Sequence, residues 1–308
     1  MHPEFGNLSS PIDTPVQSLR TADKAKQFVA LAKPRLSTSV VFSAAAGYLI
    51  GNLRFDLLEF VLLCVGGFLV VASSNAFNQI WEREQDEKMH RTKDRPLPSK
   101  RLTLAESFVA ATVYGIIGVY FLYLINPMSA GFGLLSLLLY VLIYTPLKAK
   151  GPWAVFVGAI PGAIPFMLGW VAARNDFDIE SGTLFAIQFI WQFPHFWAIA
   201  WMLHDDYAKA NYNLLPSGAR DHSSAFQTFV YTFALVPLSL LPAFGITGSL
   251  TLSPVGAVAI LLLGVFLIIR ATQLFTQKTV RAARRLMLGS VLWLTLLQIV
   301  FVLDRYLS

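Results

Sequence analysis

"FVLLCVGGFLVVASSNAFNQIWEREQDEKMHRTKDRPLPSK" runs from Phe60 to Lys100. Its first fifteen residues carry no charge, and from Glu82 onward charge dominates. The apolar part has the length and composition of a helix crossing hydrocarbon. The polar part sits where that helix would leave the membrane. Blocks of about twenty apolar residues, enough to span about 30 Å as helices, recur along the chain. Only helices or closed barrels satisfy the backbone inside lipid. Barrel strands would alternate apolar and polar residues, and these blocks do not. With 55% hydrophobic and 14% charged residues among 308, the chain reads as an all-α, polytopic membrane helical bundle.

Nine spans are expected, near 28–51, 57–79, 103–125, 129–147, 153–173, 183–203, 224–246, 253–272 and 286–304. Residues 1–27 read as a flexible polar tail closing in a short amphipathic lead-in, and 28–308 as one intramembrane domain. No charged-then-apolar signal peptide opens the chain. Cys64 is the only cysteine and lies in an apolar block, so no internal disulfide forms. Pro161, Pro165, Pro194 and Pro237 fall inside spans, which a membrane bundle tolerates where kinks line a cavity.

With the N-terminus inside, 21 of the 24 Lys and Arg residues fall on inside segments, and only Arg54, Arg174 and Arg305 fall outside. The net charge of +6 is therefore mostly membrane topology rather than a nucleic-acid signature. Two polar clusters then share the inside face. One ends span 2. The other, "QFPHFWAIAWMLHDDYAKANYNLLP", ends span 6, four spans later. An even separation is what a weak internal duplication would give.

In the first cluster, Asn75, Asn78, Glu82 and Asp86 follow at spacings of 3, 4 and 4. At about 100° per residue they occupy roughly an 80° arc of one helix face. Two amides and two carboxylates in a row form an oxygen-only donor set, suited to Mg²⁺ with substrate phosphate oxygens. Arg91, Lys93 and Arg95 follow and suit the same anion. A metal–diphosphate complex between the two groups makes sense of both, with "RPLP" (Arg95 to Pro98) fixing the loop above it. Glu84 and Glu87 point elsewhere. In the second cluster Gln188, Gln192, His195 and Asp206 share a face if the helix continues through Pro194, and Asp205 lies about 100° from Asp206. The two acids could hold a second Mg²⁺ or the far side of the same diphosphate. His195, deeper in the membrane, is either a packed neutral histidine or a contact to a second, cyclic substrate. Lys33, Arg35, Lys148 and Lys150 lie on the same face, as anchors or as diphosphate ligands.

A transferase using an isoprenyl diphosphate fits this arrangement, with the tail among apolar helices and the diphosphate at the inside mouth. Ionising the allylic C–O bond puts negative charge on the leaving group, which metal and basic residues stabilise. A secondary transporter for an anionic substrate would also explain the prolines and the basic mouth, but not the aligned carboxylates.

Three stretches resemble the UbiA-type intramembrane prenyltransferases, and within them the heme O synthases (protoheme IX farnesyltransferases). They are "DEKMHRTKDRPLPS", "YTPLKAKGPWAVFVGAIPGAIPFMLGW" and the PHFW…DDY segment. The similarity covers about 28–304. The chain departs from the family pattern at Glu82 and Glu84, where Asp is usual, and at Asn211 and Asn213, where Gly and Pro are usual. The resemblance implies transfer of the farnesyl group of farnesyl diphosphate to a vinyl group of heme b. It implies Mg²⁺ as cofactor, held by Asn78, Glu82, Asp86 and Asp206, with Asp205 beside them. It assigns diphosphate to Arg35, Arg91, Lys93, Arg95 and Lys148, and leaves His195 as a candidate for the heme side. It further implies a multi-pass protein of the bacterial inner membrane with its active-site loops cytoplasmic. The product would go to a heme-modifying enzyme or to terminal oxidase assembly. Prenylation of an aromatic quinone or chlorophyll precursor is the alternative within the same class.

Overall fold

The computed structural model describes residues 21–52 and 54–307, and every regular element among them is helical. In chain order these are α1 (Thr21–Ala32), α2 (Pro34–Gly51), α3 (Leu57–Trp81), α4 (Arg83–Lys88), α5 (Leu104–Ile125) and α6 (Pro127–Lys150). There follow α7 (Trp153–Arg174), α8 (Ile179–Met202), α9 (His204–Lys209), α10 (His222–Phe244), α11 (Pro254–Gln277) and α12 (Val280–Leu307). Seven of them are long and apolar enough to cross a membrane. Each expected span coincides with one of these seven, or with α2 or α8. Those two are 18 and 24 residues long, and both carry polar side chains into the interior. Thr21 to Phe28, within or bordering the segment expected as tail and lead-in, is helical, and residues 1–20 lie outside the described residues.

Local chemistry sets the helix ends. Asp56, Thr103, Asn126, Asp178, Asp221 and Ser253 each accept a backbone N–H in the first turn that follows, satisfying donors a helix leaves free. Thr103 and Asp178 do so reciprocally with Glu106 and Ser181. Within α7, Pro165 cannot donate to the Pro161 carbonyl. Ser136 Oγ donates to that oxygen instead, at 3.2 Å, and Gln188 Nε2 donates to the next carbonyl, Gly162, at 2.8 Å. The helix break is thereby satisfied by α6 and α8, which are tied to α7 at its middle.

α7 is the innermost helix, with 78% of its apolar window buried. It touches α2, α6 and α8, while α12 closes the ring by packing on both α8 and α2. The α2–α7 crossing is tight because Gly47 lies on the Phe166 carbonyl and Gly169 on the Ala44 carbonyl, where any Cβ would overlap backbone. One apolar core joins α7, α8 and α10–α12, and a second joins α2, α3, α5, α6 and α7.

A pseudo-repeat is visible in the break geometry. α3 ends at Glu82 (φ −95, ψ 11) and the six-residue α4 follows. α8 ends at Leu203 (φ −100, ψ 11) and the six-residue α9 follows. Both breaks keep their i to i−4 hydrogen bonds, so each short helix continues the direction of the long one.

Candidate functional site

Asn78, Glu82 and Asp86 are 2%, 5% and 0% exposed and sit one turn apart along the α3–α4 rod. The stripe survives the break because Glu82 N still donates to Asn78 O at 2.9 Å and Asp86 N to Glu82 O at 2.7 Å. Charges this deep need partners. Arg95 Nη1 donates to both Asp86 oxygens, at 2.8 and 2.6 Å. Lys148 Nζ lies 2.8 Å from Glu82 Oε1 and 4.7 Å from the centre of the Tyr144 ring. Asn75 and Asn78 donate to Ser37 Oγ and Thr145 Oγ1, both at 3.3 Å, fixing the stripe to α2 and α6. Burial pushes the Asp86 carboxyl up, and the Arg95 guanidinium only partly opposes it.

The loop from Met89 to Thr103 is held rather than draped. Thr92 Oγ1 donates to Asp86 O at 2.8 Å, and Leu97 is buried with Leu31, Ala76, Leu102 and Ala111. Packing of the Arg95–Pro98 turn against α1, α3 and α5 is what aims Arg95 at Asp86.

The second cluster meets the first but does not duplicate it. His90 N donates to Asp206 Oδ1 at 3.0 Å, and Met89 packs with Tyr207, Ala210 and Tyr212. Burial pushes the Asp206 carboxyl up, but the His90 N–H and Lys209 outweigh it and hold the group low. The repeat explains the offset. Aligning Leu203 with Glu82 puts Tyr207, not Asp206, at the place of Asp86. Tyr207 accordingly faces the Glu82–Lys148 pair, and Asp206 is turned about 100° to the rim. Asp205, expected beside the metal ligands, lies apart from the stripe: its side chain is 80% exposed and pairs with Arg220 at 3.0 Å. Among the described residues no three His, Cys, Asp or Glu side chains gather around one point.

Arg35 is also displaced from the site. It lies exposed on α2, because the chain breaks at Lys33 (φ 48) before Pro34 restarts the helix. Lys33 takes its place, close enough to Arg95, Lys148, Glu82 and Asp86 to feel all four charges. Burial first, then Arg95 and Lys148, pull its ammonium down to about 7. Arg91 and Lys93 are exposed at the rim. His195 points across the bundle to α12, its Nδ1 2.9 Å from Ser290 Oγ and its ring stacked on Trp191 at 4.6 Å. Gln188 and Gln192 turn the other way, to Gly162 of α7.

Four tyrosines, absent from the sequence reading, ring the ion pairs: Tyr140, Tyr144, Tyr207 and Tyr212. The first two are presented by a π-helical turn, Leu139–Tyr144, a device common at functional sites. The only sequence signal was Pro146 just beyond it. Asn211 stands in the left-handed region at φ 57, where Asn tolerates what Gly does freely, and so places Tyr212. The donor set fits Mg²⁺. Two carboxylates and the Asn78 amide oxygen, whose nitrogen is already committed to Thr145, come from successive turns of one rod.

A buried carboxylate–amide stripe thus faces lysine and arginine at one end of an apolar helical bundle, the architecture of a polytopic membrane protein with a polar mouth. The chain belongs to the UbiA prenyltransferase family, which matches residues 40–297. It is 52% identical over 287 residues to the protoheme IX farnesyltransferase of Christiangramia forsetii, covering 93% of this chain and 96% of that one. It is 50% identical over 283 residues to that of Flavobacterium psychrophilum, covering 91% and 94%. The fold is shared with a digeranylgeranylglyceryl phosphate synthase structure (TM-score 0.77, 19% identity, 93% and 100% covered). It is shared too with a UbiA homolog from Archaeoglobus fulgidus bound to GPP and Mg²⁺ (TM-score 0.70, 13% identity, 91% and 98% covered).

Proposed function

We propose that this prenyltransferase joins the farnesyl group of farnesyl diphosphate to a vinyl group of heme b, giving heme O. The reading rests on the buried Asn78–Glu82–Asp86 stripe facing Lys33, Arg95 and Lys148, in a chain half identical to protoheme IX farnesyltransferases along nearly its whole length. Asn78, Glu82 and Asp86 would hold Mg²⁺, which when bound would supply Lewis-acid stabilisation to a departing diphosphate. Lys33, Arg95 and Lys148 hold the diphosphate oxygens and take up the charge that develops as the C–O bond breaks. Asp206 fixes the His90–Arg91 backbone, so the loop keeps Arg91 at the mouth. The Tyr140 and Tyr144 rings offer π faces to the allylic cation. In the balanced reaction, farnesyl C1 bonds the terminal vinyl carbon and water oxygen adds to the other. Diphosphate leaves with a proton released from that water.

His195 is assigned to the heme side. Its depth suits a ring acceptor rather than the diphosphate, and Ser290 fixes the ring through Nδ1. His195→Ala is expected to weaken heme retention about tenfold while farnesyl diphosphate affinity stays within twofold. A parallel loss of both, with a lower melting temperature, refutes the assignment. The location we propose is a bacterial inner membrane, with the charged end facing the cytoplasm.

The test is to incubate purified protein with heme b, farnesyl diphosphate and Mg²⁺ and to identify hemes by mass spectrometry. A hydroxyethylfarnesyl heme is expected. Farnesylation of a 4-hydroxybenzoate-type acceptor in its place would establish the quinone-precursor alternative. Absence of Mg²⁺-dependent diphosphate release would remove the transferase reading.

A further inference from the structure

We propose that the groove between α11 and α12 at the charged end binds the phosphate of an anionic phospholipid through Arg270 and Arg285, with Lys278 and Arg281 at its rim. Arg270 lies seven residues before the end of α11, about 10 Å below it at 1.5 Å per residue. A guanidinium at that depth of a spanning helix needs an anion or a cavity. None of the ion pairs among the described residues includes Arg270, Lys278, Arg281, Arg284 or Arg285. The chain offers no acid nearby in sequence, since no Asp or Glu occurs from His222 to Leu303. Arg270 instead lies over the Phe266 ring at 5.1 Å and donates to Gln273 Oε1 at 3.2 Å.

The groove is shaped for that side chain. Gly289 faces Arg270, and a Cβ built there would lie 3.3 Å from Arg270 Cγ and 3.4 Å from the Phe266 ring. Arg281, Arg285 and Gly289 recur every four residues and share one face of α12. Arg285 therefore stands one turn above the Gly289–Arg270 contact and Arg281 two turns above. Lys278, Arg281 and Arg285 are exposed. The result is a ladder of cations rising along one interhelical groove from membrane depth to the surface. A scattered positive-inside distribution gives surface cations but no such ladder. A phosphodiester on a glycerol backbone sits at that depth, carries the missing charge, and leaves its acyl chains along the exposed apolar flanks of Leu262, Val265 and Leu288.

The experiment places the full-length protein in phosphatidylcholine nanodiscs with and without phosphatidylglycerol. It reads melting temperature, and lipid retention by native mass spectrometry. Phosphatidylglycerol is expected to raise the melting temperature and to remain bound, while inorganic phosphate in the buffer does neither. Arg270→Gln with Arg285→Gln should lower retention about tenfold, and Lys26→Gln, an exposed cation of α1, should leave it unchanged. Should the double variant fail to fold, the wild-type titration decides alone. No preference of wild type for phosphatidylglycerol, equal stabilisation by free phosphate, or an equal loss in Lys26→Gln overturns the proposal.

Discussion

Asp86 and Glu87 are neighbours with opposite surroundings: the first is fully buried against Arg95, the second exposed. Replacing Asp86 by Ala removes a metal-ligand candidate and leaves Arg95 without its carboxylate. Turnover should fall at least about a thousandfold, ~4 kcal/mol in the barrier, while Glu87→Ala stays within about twofold. Equal activities in a diphosphate-release assay would end the stripe argument. Lys33 carries a pH signature. With its ammonium held near 7 in the free site, it is mostly neutral at pH 8 and must be protonated to meet an anion. Binding of a non-hydrolysable farnesyl diphosphate analogue above pH 7 should therefore take up a proton. Affinity should fall as pH rises, by up to about tenfold per unit. Calorimetry in buffers of different ionisation enthalpy measures the uptake. Lys33→Met should abolish it, and an unchanged slope in that variant would remove Lys33 from the site. The acid stripe was legible in the sequence because helix arithmetic needs only an unbroken hydrogen-bond ladder, and the break at Glu82 keeps one. Lys33 over Arg35 was not, because a single left-handed residue before Pro34 rotates everything after it.

At the scale of elements, the bundle rests on backbone contacts that only glycine permits. Gly169→Ala would drive a methyl group into the Ala44 carbonyl and force α2 from α7. A destabilisation of about 1–3 kcal/mol is expected, seen as a lower melting temperature in detergent. Gly131→Ala, where nothing lies within 4 Å of the new carbon, should change stability by no more than about 0.5 kcal/mol. Equal effects would mean that the α2–α7 crossing is looser than these contacts require. The spans themselves could be read from composition, since apolar length decides them. The second polar cluster could not be placed the same way. Its acids Asp206 and Asp205 sit one and two residues out of register with the first, so Tyr207 takes the inward position and Asp205 turns to Arg220. The π-helical turn at Leu139–Tyr144 was equally hidden, because an extra residue per turn leaves no periodic trace in so short a run.

For the whole molecule, the proposed function needs both polar clusters at one mouth, and the His90–Asp206 bond joins them there. The same end gathers Lys33, Lys148, Lys278 and Arg285, and the opposite end carries Arg54 and Arg174. By the positive-inside tendency, that asymmetry predicts a charged end facing the cytoplasm. Cys64 is the chain's only thiol, so Cys64→Ser gives a silent background for labelling. Single cysteines at Lys88 and Lys278 report the charged end, and one at Asp176, in the exposed α7–α8 turn, reports the other. An impermeant maleimide should label position 176 in intact spheroplasts. Positions 88 and 278 should react only after permeabilisation. Labelling of 88 and 176 from the same side would break the alternation of helices and, with it, the shared mouth. Labelling of 88 and 278 alone in intact spheroplasts would invert the orientation, putting diphosphate and heme on the wrong side of the membrane for cytoplasmic substrates.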